Sequence, residues 1–314
     1  MSKERSLVIL SRSFAKASDL PLNYLKEHGV DYRLVRNNAP EDIEYIIEQI
    51  GSARAIIVGS DIINRQVMDA CPNLEIISKH GVGLDSIDLD YAKSKGITVT
   101  KTPDANNESV ADLTLLFMLY LLRNLSNTIL KESSPDWKAP KLSHDLFQNT
   151  VGLIGLGKIG MAVAKRLSGF RCRILAYDPY LKEVPDVENC FMVDMDTLLK
   201  ESNIVSLHMP LTNGTREFMN REKIDKLKKG AFLINTSRGA LVDEAALYQA
   251  LITNHLGGVG LDVFTVEPPV NNPLIGLDNV VCTPHIAPHT EEANMRMGMA
   301  ASENVVQYFI KTNC

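Results

Sequence analysis

Four polar or glycine-rich clusters in this 314-residue chain carry residue types suited to chemistry. The first is Gly155-Leu156-Gly157-Lys158-Ile159-Gly160, a GxGxxG turn, followed eighteen residues after Gly160 by Asp178. Such a turn lets backbone approach a pyrophosphate and opens a helix whose free N–H groups and dipole favour phosphate. An acidic residue at that spacing takes ribose hydroxyls, and its charge disfavours a 2′-phosphate, so NAD is expected rather than NADP. Arg171 and Arg173 are near in sequence but precede the strand that leads to Asp178, and so belong at its other end. The remaining clusters are Asn235-Thr236-Ser237-Arg238-Gly239, Asp262-Val263-Phe264 with Glu267-Pro268, and Thr283-Pro284-His285-Ile286. They offer a cation, a carboxylate and an acid/base. A cation and a proton donor beside a carbonyl act on charge that develops only in the transition state. Histidine suits the proton transfer because its ordinary pKa lies near working pH.

Each residue taken alone has a plainer reading. Arg238 could sit at a helix start on the surface, Glu267 could be a loop carboxylate, and His285 could be a satisfied core histidine. The His285–His289 spacing suggests a metal pair, but the intervening Pro288 disfavours a helical turn and no Cys or acidic cluster completes a site, so no metal is expected.

The elements that must position these clusters follow a β/α rhythm. Short β-branched or apolar runs at 7–10, 31–35, 55–58, 74–77 and 96–99 read as strands, as do 151–154, 173–177, 204–207, 232–234, 258–261 and 280–282. Helical spacing separates most of them, as at 22–27, 41–50, 161–167 and 244–251, the last with Asp243 as its cap. Alternation of this kind means parallel sheets with crossover helices, whose ligands bind beyond the carboxyl ends of the strands. The expected fold is α/β. It comprises two Rossmann-like, doubly wound parallel-sheet domains, one flavodoxin-like and one NAD-binding, with a cleft between them. The first would be residues 1–103 plus 286–314, a substrate-binding lid rejoined by a C-terminal helix. The second would be residues 104–285. The Pro- and Lys-rich stretch 132–146, with Trp137, reads as a surface connection.

Composition excludes several classes. With 33 Lys and Arg against 38 Asp and Glu, the net charge of −5 gives no general pull toward nucleic acid or an anionic membrane. Five scattered cysteines, none in a CxxC pair, are no disulfide framework and point to a reducing compartment, the cytoplasm. The longest apolar run, 113–122, is about half of what a membrane span needs. It reads instead as a buried interdomain or dimer helix.

The chain resembles the D-isomer-specific 2-hydroxyacid dehydrogenase family, in particular its phosphoglycerate dehydrogenase-like branch. The resemblance rests on His80-Gly81-Val82-Gly83-Leu84-Asp85, Ser109-Val110-Ala111-Asp112, VGLIGLGKIG, HMPLT at 208–212, INTSRGALVDEAAL at 234–247, GLDVFTVEP at 260–268 and TPHIA at 283–287, in the family's order. It implies hydride transfer between NAD and a small 2-hydroxy or 2-keto acid. Arg238 would bind the substrate carboxylate and steady the carbonyl oxygen, His285 would be the acid/base, and Glu267 would orient it. Cofactor contacts would come from Gly155, Gly157, Lys158, Ile159, Gly160, Asp178, His208, Pro210, Thr215, Thr236, Ser237 and Asp262, the last holding the nicotinamide carboxamide. His80, Gly81, Val82, Gly83 and Asn106 would meet the substrate from the other domain. A homodimer is implied through the region of 113–122.

The sequence departs from the pattern in three places. Pro288-His289 stands where small residues are common. Where phosphoglycerate enzymes carry an arginine, Gly59-Ser60-Asp61 follows the third strand, and Asp61 would repel a phosphate. The chain ends at Cys314, so a C-terminal regulatory domain is not expected. The alternative reading is a catalytically silent NAD-sensing corepressor of the same fold, against which an intact Arg238, Glu267 and His285 argue. Adenosylhomocysteine hydrolysis would need cysteine and lysine chemistry that the sequence lacks.

Overall fold

The computed structural model describes residues 6–128, 142–181, 183 and 186–312. Trp137 and most of the 132–146 connection lie outside them. The chain divides into two compact units, Met1–Asn106 with Pro288–Cys314, and Asn107–Ala287.

The first unit holds a five-stranded parallel sheet: β1 (Ser6–Ile9), β2 (Asp31–Leu34), β3 (Ala55–Val58), β4 (Ile76–Lys79) and β5 (Thr98–Thr100), in the order β2-β1-β3-β4-β5. This is the flavodoxin-like order. Alternate residues of the central strands feed two cores, as expected of parallel strands covered on both faces. Val8, Leu10, Ile56, Val58 and Ile77 meet Ile46, Ile50, Val67 and Met68 on one side. Leu7, Ile9, Ile57 and Ile76 meet Leu25, Val305, Val306 and Phe309 on the other. The last three belong to the helix Glu291–Thr312, which returns to this sheet after the second unit is complete. The Ser78 hydroxyl donates to the Ala301 carbonyl at 3.1 Å, tying that helix to β4.

The second unit holds seven parallel strands: β6 (Thr150–Ile154), β7 (Arg173–Tyr177), β8 (Cys190–Met192), β9 (Ile204–Leu207), β10 (Ala231–Asn235), β11 (Leu256–Leu261) and β12 (Val280–Cys282). Their order is β12-β11-β10-β9-β6-β7-β8. Counted from β6, this is the dinucleotide-binding order 3-2-1-4-5-6 with one strand added, and the topological switch falls between β6 and β9. The helices Asn107–Leu122 and Lys158–Gly169 cover one face through Phe117, Met118, Val163 and Leu167. Met195–Glu201 and Glu244–Ile252 cover the other through Leu198, Leu199, Leu247 and Leu251.

Several strand bounds differ from the sequence expectation, among them β5, which begins at Thr98 rather than 96, and β11, which begins at Leu256 rather than 258. β4 begins at Ile76 rather than 74, because Leu74 closes the preceding turn, its N–H donating to the Cys71 carbonyl at 3.0 Å. β8 was not anticipated: Cys190-Phe191-Met192 is a three-residue edge strand too short to show a period. Among the described residues no helix is long and apolar enough to cross a membrane.

Candidate active site

The turn after β6 is built by close approach. Gly155 has φ +95° and lies against His208 at the end of β9, where a Cβ would meet the His208 carbonyl oxygen at 2.6 Å. A Cβ on Gly160 would lie 2.2 Å from the Gly155 carbonyl oxygen, so any larger residue there would push the helix off the turn. Gly157 is different. It is the N-cap of the helix Lys158–Gly169, and nothing lies within 4 Å of where its Cβ would be. The open space at that helix N-terminus, on the switch point, fits a dinucleotide pyrophosphate. Lys158 and Ile159 form the helix's first turn.

Asp178 follows β7 directly. Its Oδ2 accepts the Leu156 N–H at 2.9 Å and its Oδ1 the Tyr180 N–H at 2.9 Å, which fixes the carboxylate beside the glycine turn. Arg173 begins the same strand and pairs with Glu201 at 2.7 Å. Five residues of strand, on the order of 16 Å, separate it from Asp178. Asp178→Ala is expected to weaken NADH about tenfold or more, the worth of hydrogen bonds to a charged group. Fluorescence titration of NADH checks this, and unchanged affinity would refute the ribose assignment.

The other expected cofactor residues are tied into the loops around this turn. His208 is half-buried, its Nε2 lies 2.9 Å from the Ser206 hydroxyl, and its buried Nδ1 has no partner among the described residues; desolvation pushes its pKa down to about 4, so the ring is neutral. The Thr215 hydroxyl donates to the Pro210 carbonyl at 2.7 Å and receives the Thr212 N–H at 2.7 Å, closing the loop after β9. Thr236 is buried against Thr114 (Oγ1 to Oγ1, 3.0 Å), and the Ser237 hydroxyl donates to the Leu207 carbonyl at 2.7 Å.

At the carboxyl ends of β10, β11 and β12 the three chemical groups come together. His285 Nδ1 and Glu267 Oε2 are 2.8 Å apart. Glu267 Oε1 accepts the Phe264 N–H at 3.0 Å. Burial alone would raise the Glu267 carboxyl, but the His285 hydrogen bond and charge, the Phe264 N–H and the Arg238 charge outweigh it and hold it below its ordinary 4.5. An ionised carboxylate only accepts, so Nδ1 carries the hydrogen and Nε2 is the nitrogen left for substrate. His285 has φ +54°, sparsely populated for a residue with a side chain.

Arg238 precedes Gly239, and a Cβ on Gly239 would sit 1.9 Å from the Phe264 carbonyl carbon. Only glycine permits this approach, which brings the Arg238 loop onto the Glu267 loop. Asn235 fixes the turn: its Nδ2 donates to the Arg238 carbonyl at 2.8 Å and its Oδ1 accepts the Ser237 N–H at 3.0 Å.

Asp262 lies at the end of β11. It is fully buried, and its carboxylate faces the histidine loop: Oδ1 accepts the Thr283 hydroxyl at 2.6 Å and the Ile286 N–H at 2.8 Å, and Oδ2 accepts the Ala287 N–H at 2.9 Å. Burial raises its pKa against those three bonds. In this arrangement Asp262 organises the 283–287 segment. Thr283 was not singled out from the sequence, and a threonine in a short string gives no signal of a partner 21 residues away.

In the first unit, Gly81 (φ +148°) is locked to Thr102, its N–H donating to Oγ1 at 3.0 Å and its carbonyl accepting the Thr102 N–H at 2.9 Å. Val82 and Gly83 follow, half-buried. His80 lies beneath, its Nδ1 3.1 Å from the Ser11 hydroxyl and its ring edge-on to Phe14; burial pushes it down to about 4. It packs neutral under the turn and offers no charge. Asn106 Oδ1 is buried with no partner among the described residues.

The expectation for Asp61 is corrected. It is buried, accepts the Asn37 amide at 2.7 Å and the Gly59 N–H at 2.8 Å, and burial raises its pKa. It braces the loop after β3 rather than presenting charge to a ligand. Among the described residues no cluster of three or more His, Cys, Asp or Glu could hold a metal ion.

A seven-stranded dinucleotide-binding sheet with an Arg–Glu–His set at its carboxyl edge defines an NAD-linked oxidoreductase. Comparison with known proteins takes the assignment further. The family model described as "D-isomer specific 2-hydroxyacid dehydrogenase, NAD binding domain" matches residues 115–287. A hydroxypyruvate reductase from Thermotoga maritima is 44% identical over 248 residues, covering 77% of this chain and 80% of that one. A D-3-phosphoglycerate dehydrogenase from Methanocaldococcus jannaschii is 40% identical over 266 residues, covering 83% of this chain but 51% of that one, so the chain spans about half the length of this relative. Among solved structures, a D-lactate dehydrogenase from Aquifex aeolicus, complexed with NAD and lactic acid, superposes with a TM-score of 0.83 at 32% identity, covering 98% of this chain and 97% of that one. The chain belongs to the D-isomer specific 2-hydroxyacid dehydrogenase family. It is an NAD-dependent oxidoreductase acting on 2-hydroxy acids.

Proposed function

We propose that the chain reduces small, unphosphorylated 2-keto acids to D-2-hydroxy acids, with His285 as acid/base, Glu267 as its orienting carboxylate and Arg238 as the substrate's cation. The observation that carries this is the 2.8 Å contact between His285 Nδ1 and Glu267 Oε2, which leaves Nε2 as the proton-transferring nitrogen. In the reducing direction Nε2 gives its proton to the ketone oxygen; in the oxidising direction it removes the hydroxyl proton. Arg238 binds the substrate carboxylate and offsets charge on the oxygen. When bound, the nicotinamide supplies or accepts the hydride.

The absence of phosphate chemistry is argued from the loop after β3. It carries no arginine at Gly59-Ser60-Asp61, and Arg65 downstream is committed to Asp88 at 2.9 Å and to the Tyr91 ring at 5.3 Å. Lys79 is committed to the Gly59 carbonyl and the Ser86 hydroxyl. NADH oxidation with glyoxylate, hydroxypyruvate, pyruvate, phenylpyruvate, 2-ketoglutarate and 3-phosphohydroxypyruvate tests the proposal. Turnover of glyoxylate or hydroxypyruvate well above the phosphorylated acid is expected. Preference for the phosphorylated acid would overturn the substrate class, and NADH binding without any turnover would turn the reading toward the corepressor alternative. A cytoplasmic homodimer, paired through the helix Asn107–Leu122 with its exposed Leu116, completes the proposal.

A further inference from the structure

We propose that Glu244 is a positioning residue for the reaction, bracing from outside the loop that carries Glu267. The inference rests on the reading of Glu267 as the carboxylate that orients His285.

Glu267 lies on a segment that packing does little to hold. Val266 and Val270 are 71% and 75% exposed, and Thr265 and Pro268 are exposed as well. A groove of about 670 Å³ runs beside the segment, lined by Glu244, Thr265, Val266, Pro269, Val270 and Asn272. With few apolar contacts to fix it, the loop takes its shape from polar ties.

Glu244 supplies two of those ties. It is the first residue of the helix Glu244–Ile252, whose N-cap, Asp243, accepts the Ala246 N–H at 3.0 Å. Its Oε1 accepts the Thr265 N–H at 2.7 Å and its Oε2 accepts the Asn272 side-chain amide at 2.7 Å. Asn272 in turn accepts the Leu274 N–H at 3.0 Å, and Leu274 is fully buried in the core. One carboxylate therefore grips both stems of the loop. The adjacent amides of Phe264 and Thr265 divide between the two acids: Phe264 donates to Glu267 and Thr265 to Glu244. Hydrogen bonds to an ionised acceptor are about twice as strong as neutral ones, and a negative group at a helix N-terminus is favoured by the dipole. Glu244 is thus a post, anchored on a helix, against which the loop side of the Glu267–His285 contact is set. Misplacement of about 1 Å at a reacting group can cost a hundredfold in rate.

Turnover of parent, Glu244→Ala, Glu267→Ala and the double variant, each with saturating NADH and the preferred keto acid, tests the proposal. Glu244→Ala is expected to lower kcat between about tenfold and a hundredfold, with the NADH dissociation constant unchanged. Glu244→Gln keeps an acceptor for the Thr265 N–H and is expected to recover most of the rate. In the Glu267→Ala background, Glu244→Ala should change kcat by no more than about twofold, because the contact it serves is already gone. Should Glu244→Ala fold poorly, Asn272→Ala cuts one tie from the other stem and is expected to show a smaller loss with the same dependence on Glu267. Equal losses in both backgrounds would overturn the proposal, as they would mark a general structural role, and so would a parental rate in Glu244→Ala. A parental rate in Glu267→Ala would instead overturn the reading on which it rests.

Discussion

His285→Gln is expected to lose between about 10² and 10⁴ in kcat/KM, the worth of positioned general acid–base catalysis, while NADH binds as in the parent. Glutamine can fill much of the same space and bond to Glu267, but it cannot hold a transferable proton at working pH. The backbone gives no reason for the variant to collapse. The left-handed conformation at position 285 is set by Asp262, whose carboxylate holds residues 283, 286 and 287. The His285 N–H is also fixed, to the Asp262 carbonyl at 2.9 Å. The acid side of the pH profile follows from Glu267. Its carboxyl lies below the ordinary 4.5, so it is ionised at every pH above that value and loses its negative charge only as pH falls through the lowered one. Activity lost between about pH 7 and pH 5 would therefore not come from protonation of Glu267. Steady-state rates with a keto acid over that range, beside fluorescence titration of NADH, check both statements. Near-parental kcat/KM in His285→Gln would remove the histidine from the mechanism.

What was legible in the sequence follows from how local each signal is. The cofactor was legible because the glycine turn, the strand before it, the helix after it and Asp178 fall within one short βαβ stretch, 150–178. The two parallel sheets were legible because strands such as Ala55–Val58 and Ile204–Leu207 are buried along their whole length and read as short apolar runs, broken in the second only by Ser206. A three-residue edge strand such as Cys190–Met192, half open to solvent, carries no such pattern. Charge was the poorest guide. Asp61 reads as a repellent of phosphate, yet it is buried and spends its oxygens on the Asn37 amide and the Gly59 N–H. Asn37 lies 24 residues away. Glu244 was invisible for the same reason: an acid at a helix start is explained by the helix dipole, and nothing local reveals the Thr265 N–H 21 residues on. The joining of Arg238, Glu267 and His285 came from the resemblance and from the rule that parallel strands present their ligand residues at one edge. Spacing alone could not show that the Glu267 carboxylate meets Nδ1.

Arg238→Ala is expected to reduce kcat/KM by about 10² to 10³, the cost of removing a preorganised donor from a developing oxyanion. Arg238→Lys should recover little of it. A guanidinium presents planar, paired donors that match a carboxylate, whereas an ammonium is a single point charge on a flexible stem. The structure is built for the planar group. Arg238 Nη1 donates to the Ser237 carbonyl at 2.7 Å, Asn235 clamps the Arg238 carbonyl, and Gly239 lets the loop press against Phe264. Those constraints hold the Arg238 loop against the Glu267 loop, and the Arg238 charge helps keep the Glu267 carboxylate ionised. Lysine would keep the charge near Glu267 and lose the geometry, so the two variants separate the two contributions. If the geometry matters, kcat falls in both variants. If Arg238 only gathers substrate by its charge, kcat stays at the parental value in both variants, KM rises in the alanine variant, and the lysine variant sits close to the parent. The second pattern would leave His285 and Glu267 as the chemical pair and reduce Arg238 to a binding residue.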